Sequence, residues 1–564
     1  MAQIQDFADH LTGKTKTYEG GVGYKTNLRE TIAEFFSLGL LNGMFYQTQE
    51  QVMEGAVEIF QKALAECPEF AAKAAIYGHT VNSLKLVPTI WLVYLSTLEN
   101  KALFNRAFPK IITNINLLHD FMEICRKAPI RKGLGRSVKR TFNKRLQELL
   151  NEYSVSRNKT TIGELIKVSR PHFEDEKLQA YMRYVSKGEL SFERAQKLKW
   201  SLEKIRANEI DEELLAAVEQ YALQLEELKH AINNFSISPE QIKQLVTAIA
   251  NEKDMEKVAQ LQAKLTALKE KEMLNLSAEK KQLLYGTLYK RLRYAALILN
   301  LVALERVFAK ETKQVKALTS RGRISQNEVL TTDIPDDIKH IICAKISDIN
   351  QYRSSNILPF ALLNAQKKVK TEEFRTAIEQ VLNTCAKEAF SIPPELELLV
   401  GVDTSGSMSI MVNDSLSAAD ISTFLGALIK IAHPATTVCS VATSCEEVAF
   451  KQENLFGLAK DIADTDVGGG TSLELLMQHY TGQKYVLLLT DSEQANDIGA
   501  KWLKAKKPDG ARLIVWQLQA YQTKVSNALS VLYLAGYSDR LLALVKNIIE
   551  EKGTQIEEIE KIEV

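Results

Sequence analysis

The sequence predicts a multidomain protein, with an all-α N-terminal region of HEAT-like repeats and a C-terminal α/β domain built on a doubly wound parallel sheet. Three observations support this fold class. The chain has 564 residues, which is too long for one ordinary domain. Apolar residues in its first part recur every three or four positions, and two short apolar runs in its last part each end in an aspartate.

The first part of the chain has helix periodicity from about residue 28 to residue 118. Ile32, Phe35 and Phe36 illustrate the spacing, and proline and glycine residues interrupt it at short intervals. Short helices in antiparallel succession are typical of an α-solenoid of HEAT-like repeats. Residues 178–318 are also expected to be helical, and the charged segment at about 200–285 is either a scaffold or an insertion.

The character of the sequence changes after Pro393-Pro394, which places a domain boundary near residue 390. We therefore expect a helical domain over residues 1–390 and an α/β domain over residues 391–564. Beyond the boundary, short apolar strands alternate with helices, as in a parallel sheet with helices on both faces.

A candidate metal site follows two of these strands. The apolar run 396–402 stops at a loop with the oxygen-bearing side chains of Asp403, Ser405 and Ser407, and the run 485–489 leads to Asp491. A glycine-rich loop at residues 468–470 precedes Thr471. Loops at the carboxyl ends of parallel strands converge, and oxygen ligands suit a hard divalent cation, which we expect to be Mg²⁺.

A second candidate site is a basic stretch between residues 124 and 147, which contains no acidic residue. A helix is predicted to start near Arg136, so that Arg136, Arg140 and Lys144 lie on one face. Such a face is either a solvated charged surface or a binding site for phosphates. The candidate RNA-binding residues are Arg131, Lys132, Arg136, Lys139, Arg140, Lys144, Arg145, Lys167, Arg170 and His172.

Composition limits the other classes of function. The net charge is +1, so affinity for nucleic acid has to come from local clusters. The sequence begins without the pattern of a signal peptide and has no apolar run long enough to span a membrane. Its six cysteines lack the spacing of a zinc motif, and we expect reduced thiols in a cytoplasmic protein.

The order and spacing of the metal-site residues resemble the metal-ion-dependent adhesion site of von Willebrand factor A domains. The whole chain resembles the Ro autoantigen family, and in particular its bacterial members. Proteins of this family join a TROVE module of HEAT-like repeats to a von Willebrand factor A domain. The stretches that carry this resemblance are Glu19–Tyr24, Phe35–Gly39, Gly133–Arg136, Arg353, Pro359-Phe360, Leu363–Ala365, Val402–Ser409, Gly470-Thr471 and Asp491.

The resemblance implies a monomeric ring that binds small non-coding (Y-like) RNAs on its basic outer surface and single-stranded 3′ ends of misfolded RNAs in its hole. It also implies an adaptor role toward a 3′-exoribonuclease. An acidic protein or ligand carboxylate would complete the metal site. The alternative is a cation-dependent protein-interaction scaffold without an RNA role. A nuclease or ATPase is disfavoured, because no general base and no P-loop lysine accompany the site, and we expect no enzymatic activity.

Overall fold

The computed structural model describes residues 14–564, except for 19, 40, 42–43, 45–46, 132, 208, 221–277, 319–323, 333, 356, 358, 390–391, 394, 413–415, 520, 522, 537–539 and 550–552. Most of the charged segment predicted at about 200–285 therefore lies outside the described residues. The chain divides into two compact units, one formed by residues 1–142, 356–367 and 376–564 and the other by residues 143–355 and 368–375. The boundary near residue 390 stays a prediction.

Helices dominate the N-terminal part of the first unit, as the periodicity predicts. The side chain of Asn27 accepts a hydrogen bond from the backbone of Glu30 and forms a capping box at the start of the first helix. Gly39 ends that helix with a φ of 65°, which favours glycine. These helices are α1 (Leu28–Leu38), α2 (Gln49–Glu66), α3 (Pro68–Thr80), α4 (Leu86–Leu95), α5 (Ala102–Ile111) and α6 (Ile115–Lys127), and α7 (Arg136–Leu149) begins in this unit and continues into the second.

Aromatic side chains form the core of the first helices. The ring of Phe36 packs edge-on against Trp91 at 5.8 Å between centroids, and Phe60 stacks on Tyr94 at 4.9 Å. Trp91 and Phe36 are both fully buried. Burial of such large rings contributes much of the favourable free energy of folding in this part of the chain.

The second unit continues with short helices. They are α8 (Glu152–Arg157), α9 (Lys159–Ser169), α10 (Glu176–Lys187), α11 (Glu193–Arg206), α12 (Glu212–Gln220), α13 (Ala278–Arg291), α14 (Tyr294–Val307), α15 (Asp336–Ile346) and α16 (Ile349–Ser354). Helices α17 (Pro359–Lys368) and α18 (Glu372–Ala389) then lead towards the C-terminal sheet.

One stretch predicted to be helical is a β-hairpin instead. Strands β3 (Ala309–Leu318) and β4 (Ile324–Thr332) pair antiparallel over almost their whole length, so the helix expected up to residue 318 is wrong from residue 309 onward. Both strands contain β-branched residues, which favour a strand. The cross-strand pairing therefore outweighs the helical structure that the charged residues of the segment had suggested.

The C-terminal part contains a six-stranded sheet of order β11-β9-β8-β5-β6-β7. Its strands are β5 (Leu398–Asp403), β6 (Thr437–Val441), β7 (Cys445–Glu447), β8 (Tyr485–Thr490), β9 (Arg512–Gln517) and β11 (Val531–Ala535). The pairs among β11, β9, β8, β5 and β6 are parallel, and β7 lies antiparallel at one edge. This confirms the predicted α/β class.

The helices of this part are α19 (Ala418–Ala432), α20 (Leu455–Asp464), α21 (Ile498–Lys504), α22 (Arg540–Ile549) and α23 (Gln555–Glu560). The strand order changes direction at β5, which has β6 on one side and β8 on the other. The carboxyl ends of β5 and β8 therefore meet at the topological switch point, where α/β sheets form ligand sites.

A small sheet joins the two ends of the chain within the first unit. Strands β1 (Lys14–Lys16) and β2 (Val22–Lys25) form a hairpin, and β2 also pairs with β10 (Thr523–Lys524) near the C-terminal sheet. None of the helices in the described ranges has the length and apolar character needed to cross a bilayer.

Candidate metal centre and basic surface

The first element of the candidate metal centre is the end of strand β5. All six residues of β5 are buried, and Asp403 at its end is fully buried. The carboxylate of Asp403 accepts hydrogen bonds at both oxygens, from the backbone of Ser405 at 2.9 Å and from the hydroxyl of Thr490 at 2.6 Å. These bonds fix the carboxylate between the ends of β5 and β8.

The loop after β5 presents two hydroxyls next to this carboxylate. A 3₁₀ helix (Gly406–Ser409) starts directly after the loop, and the Oγ atoms of Ser405 and Ser407 lie 3.2 Å apart. The amide of Gln519 donates to the carbonyl oxygen of Ser407 at 3.0 Å and holds this turn from the side of β9. The two hydroxyl oxygens thus share one small buried volume.

The glycine-rich loop brings Thr471 to the same place. The backbone N–H of Gly406 donates to the carbonyl oxygen of Gly469 at 3.0 Å, which joins this loop to the one after β5. Thr471 is buried, and its carbonyl oxygen accepts from the N–H of Ala495 at 2.9 Å. Three separate loops therefore meet around the candidate metal ligands.

Asp491 completes the arrangement from the end of β8. One oxygen of its carboxylate accepts from the N–H of Glu493 at 3.1 Å, whereas Oδ2 is buried without a hydrogen-bond partner among the described residues. Burial and the nearby Asp403 carboxylate raise the pKa of Asp491 well above its ordinary value, and the Ser407 hydroxyl opposes this rise. Ser492 has a φ of 67°, a strained conformation for a residue with a side chain.

These five side chains fit a hard divalent cation. They offer two carboxylates and three hydroxyls, and Asp491 Oδ2 is a buried acceptor that lacks a donor in the described chain. A buried carboxylate oxygen without a partner is unfavourable, and a bound cation would supply the missing positive charge. The residues that would hold it are Asp403, Ser405, Ser407, Thr471 and Asp491.

Sequence reasoning missed several residues around this centre. Thr490, Glu493 and Gln519 are fully buried and hold the ligand loops in place. The backbone N–H of Tyr18 donates to Glu493 Oε2 at 2.5 Å, which ties the N-terminal hairpin to the loop after β8. Glu493 lies two residues after Asp491 and could have been suspected, but no local pattern pointed to Gln519 or Tyr18.

The basic helix α7 has the two faces that its spacing predicts. Val138, Phe142 and Leu146 are buried on one face, and the Phe142 ring lies 6.4 Å from that of Phe121 on α6. Arg136, Arg140 and Lys144, which we call the basic stripe, are exposed on the other face. Lys139 is half-buried.

Other cations of the basic stretch have partners within the protein. The guanidinium of Arg131 donates to the carbonyl oxygens of Gly133 at 2.7 Å and Ser96 at 3.1 Å, so it holds the loop before α7. Arg145 forms an ion pair with Glu148 at 2.7 Å. Arg126 and Lys127 both pair with Glu123, at 2.8 Å each. Lys132 lies outside the described residues.

Within the second unit, the end of α9 lies near Asn143, in the part of α7 that belongs to that unit. The side-chain amide of Asn143 approaches the carbonyl oxygen of Ser169 at 3.5 Å. Arg170 follows with a φ of 45°, and Lys167, Arg170 and His172 are all exposed. The cations that the sequence singled out on α9 and after it therefore project into solvent.

Comparisons with known proteins bear on the fold. No family model matches the sequence, and no curated protein matches it. Among solved structures, the chain is similar to the crystal structure of the Ro (RSR) protein of Deinococcus radiodurans, with a TM-score of 0.58. The match covers 93% of this chain and 100% of that chain at 14% sequence identity. The fold is therefore Ro-like.

Proposed function

We propose that the protein binds RNA without catalysing a reaction and acts as an adaptor in the quality control of non-coding RNA. The observation that carries this proposal is the basic stripe. Its three side chains are exposed, and in the parts of the chain that the structure describes none of them has a carboxylate partner. Unpaired, exposed cations along one helix face are available to phosphates.

The geometry of the basic stripe favours the RNA backbone over the bases. Residues four positions apart on a helix are about 6 Å apart along its axis, which is close to the spacing of successive phosphates in an extended single strand. The opposite face of α7 is anchored in the core by Phe142 and Leu146, so the cations stand on a rigid support. Such a surface binds without reading sequence.

The exposed residues at the end of α9 extend this proposal. Lys167 and Arg170 would contact phosphates, and His172, exposed after Pro171, would stack on a base. Lys139, half-buried on α7, would support the stripe from its side. Arg131 and Arg145 have partners within the protein, so their contribution to RNA affinity would be smaller than that of the stripe.

The Ro-like fold supports the class of RNA. The resemblance of the sequence to the Ro autoantigen family implies the kind of RNA. It would be a small structured Y-like RNA or the single-stranded 3′ end of a misfolded RNA, and a monomeric helical ring would hold it. A 3′-exoribonuclease would be the partner that degrades the captured RNA, and the protein would act in the cytoplasm.

The metal centre would serve protein docking. Mg²⁺ held by Asp403, Ser405, Ser407, Thr471 and Asp491 would keep a coordination position for a carboxylate of an acidic partner or ligand. The glycine-rich loop beside Thr471 offers the approach, because Gly468 and Gly469 are exposed whereas the ligands themselves are buried. This arrangement also favours the second candidate function, a cation-dependent protein scaffold without an RNA role.

The deciding experiment measures binding of a fluorescent structured RNA with a single-stranded 3′ tail at several salt concentrations. The test variant replaces the basic stripe, as Arg136→Glu, Arg140→Glu and Lys144→Glu. We expect tight, salt-sensitive binding by the wild-type protein and a loss of at least tenfold in affinity for the variant, because three phosphate contacts become repulsive.

A matched control carries Lys62→Glu, Lys199→Glu and Lys561→Glu, which cause the same change in net charge at exposed lysines that already pair with Glu58, Glu203 and Glu558. It should bind RNA within about threefold of the wild type if local charge on α7 decides affinity. Failure of the wild-type protein to bind at low salt would contradict the RNA proposal and favour the cation-dependent scaffold.

A further inference from the structure

A cluster of soft metal ligands lies at the edge of the C-terminal sheet, away from the oxygen donors described above. Ligand atoms of Cys439, Cys445 and His479 all lie within 4.8 Å of one another. Both cysteines are buried and free, and His479 is half-buried. Cys439 and Cys445 are the nearest cysteine pair in the sequence, but no spacing pattern connects them with His479, which is far from both along the chain.

The sheet register explains why the two thiols meet. Cys445 on β7 pairs with Val441 on β6, and Cys439 lies two residues from Val441 on the same strand. Residues directly opposite each other share a face, and so do residues two apart on one strand. The thiols are therefore diagonal neighbours on one face of the sheet.

The histidine comes from an element packed on that face. The 3₁₀ helix Leu473–Gln478 ends at His479, and Leu473 and Leu476 share a buried cluster with both cysteines. Nε2 of His479 lies 3.2 Å from the carbonyl oxygen of Cys445. A carbonyl oxygen can only accept, so in the neutral ring this contact favours the tautomer with the proton on Nε2 and the lone pair on Nδ1. Histidine ligands of metals usually have such a carbonyl partner on the other ring nitrogen.

We propose that Cys439, Cys445 and His479 form a binding site for a thiophilic divalent cation of the Zn²⁺ class. Two thiolates and a neutral imidazole around a divalent cation give a site with no net charge, which suits the apolar cluster around it. A monovalent cation would leave a buried negative charge. His479 is only half-buried, so a water molecule could reach the cation next to it and supply the fourth ligand.

The distances and the proton balance are compatible with this assignment. Zn–S bonds of about 2.3 Å and Zn–N bonds of about 2.0 Å place tetrahedral ligand atoms about 3.5 to 3.8 Å apart, so side-chain rotations that draw the cluster together by about 1 Å would close the site. Binding replaces the two S–H bonds by two Zn–S bonds and releases two protons to solvent. The cation would then connect the edge strand β7 to the segment that follows Thr471.

The neighbouring backbone already couples these segments. The N–H of Ser472 donates to the carbonyl oxygen of Ala442 at 2.8 Å, and the N–H of Gly470 donates to Thr443 Oγ1 at 2.8 Å. The turn between β6 and β7 is thus bonded to the glycine-rich loop. A cation at the cysteines would act as a structural brace on that loop.

The test uses the full chain, reduced and freed of metal by a chelator, and titrated with Co²⁺ as the spectroscopic probe. We expect one equivalent of Co²⁺ to produce a thiolate-to-cobalt charge-transfer band that excess Zn²⁺ removes. Zn²⁺ should also protect two thiols from a thiol reagent. The variants Cys439→Ser and Cys445→Ser should lose the band, and the distant buried control Cys125→Ser should retain it.

A buried cysteine variant can fail to fold, so a second variant, His479→Gln, changes a residue that is only half-buried. It should weaken Co²⁺ binding at least tenfold while the protein stays folded. Excess Mg²⁺ should leave the band unchanged, which separates this site from the oxygen-donor centre. No charge-transfer band in the wild-type protein, an equal band in the cysteine variants, or a Cys439–Cys445 disulfide that persists in reductant would each overturn the proposal.

Discussion

The hydroxyl of Thr17 donates a hydrogen bond to the carbonyl oxygen of Gln494 at 2.6 Å, across 477 positions of the chain. The side chain of Gln494 returns a bond to the carbonyl oxygen of Val22 at 2.8 Å. The N-terminal hairpin therefore holds the loop that begins at Asp491, and with it one carboxylate of the candidate metal centre. The geometry of that centre depends on residues from both ends of the sequence.

Gly21 provides a test of this coupling. A Cβ atom at Gly21 would lie 2.1 Å from the carbonyl oxygen of Gln494, so Gly21→Ala has to displace the hairpin or the loop. We expect a loss of about 1 to 3 kcal/mol in the free energy of unfolding and weaker binding of Mn²⁺, as a probe for Mg²⁺. Denaturant unfolding and Mn²⁺ titration by electron paramagnetic resonance measure the two effects.

The matched control is Gly55→Ala, because Gly55 lies within α2 and a Cβ there meets nothing within 4 Å. It should leave Mn²⁺ affinity unchanged and stabilise the protein by about 0.5 to 1 kcal/mol, since alanine favours a helix. Unchanged stability and unchanged Mn²⁺ affinity in Gly21→Ala would show that the hairpin does not position the loop.

The raised pKa of Asp491 predicts how pH acts on the metal-free protein. A carboxyl group whose pKa is higher in the folded state binds its proton more tightly there than in the unfolded chain. The stabilisation is fully present below the pKa of the unfolded chain and is lost as pH rises through the folded pKa. With a chelator present, the Tm should therefore fall as the pH rises from the unfolded pKa through the folded pKa of Asp491. At neutral pH, Mg²⁺ should restore the Tm because the cation replaces the proton.

The variant Asp491→Asn isolates this contribution. Its side chain is neutral at every pH. With a chelator present, the Tm of the variant should therefore fall less with rising pH than the Tm of the wild type, and Mg²⁺ should no longer raise it. The control Asp509→Asn changes an exposed carboxylate and should behave like the wild type. An identical Tm profile for Asp491→Asn and the wild type, with and without Mg²⁺, would contradict both the titration and the ligand role.

Single substitutions on the basic helix predict a graded salt dependence. Each phosphate contact contributes about 0.7 to the slope of log affinity against log salt for a single strand and about 0.9 for a duplex. Arg140 is exposed on the basic stripe. Arg140→Gln should therefore reduce the slope by nearly the contribution of one phosphate contact. Fluorescence anisotropy at several potassium chloride concentrations measures the slope.

Arg126→Gln is the matched control, because Arg126 already pairs with Glu123 at 2.8 Å. Its slope should stay within experimental scatter of the wild type. If the two variants change the slope equally, charge on this stretch acts through the general potential of the surface rather than through contacts of the stripe.

The sequence predicted those parts of the protein whose signal is local. The strands β5 and β8 are wholly buried apolar runs, and the candidate ligands follow them directly, so the pattern was visible within a few residues. Helix α7 was predicted for the same reason, because Arg136, Arg140 and Lys144 repeat at the helical spacing. Local periodicity needs no knowledge of distant contacts.

Features that depend on distant pairing were not predictable in this way. Strand β3 lies in a segment that was predicted to be helical up to residue 318, whereas its antiparallel pairing with β4 decides its structure. The pairing of β2 with β10 joins residues about five hundred positions apart. Arg131 was predicted from the sequence as an RNA-binding residue, yet its guanidinium donates to the carbonyl oxygen of Ser96 in another segment.

A buried glutamate in the second unit leads to the last prediction. Glu305 on α14 is only 1% exposed, and its carboxylate accepts from the N–H of Lys370 at 2.9 Å and the N–H of Thr371 at 2.6 Å. It satisfies two backbone donors just before helix α18. Glu305→Gln removes the negative charge from these bonds and should lower the free energy of unfolding by about 1 to 3 kcal/mol, because bonds to a charged acceptor are stronger.

Hydrogen exchange gives the local measurement for this prediction. The amides of Lys370 and Thr371 should exchange faster in Glu305→Gln, whereas exchange in the C-terminal sheet should stay unchanged. The control Glu372→Gln alters a carboxylate that is 77% exposed at the start of α18 and pairs with Arg375, and it should shift stability by less than about 0.5 kcal/mol. Equal protection of both amides in the two variants would mean that Glu305 does not cap this segment, and the start of α18 would then depend on its own residues alone.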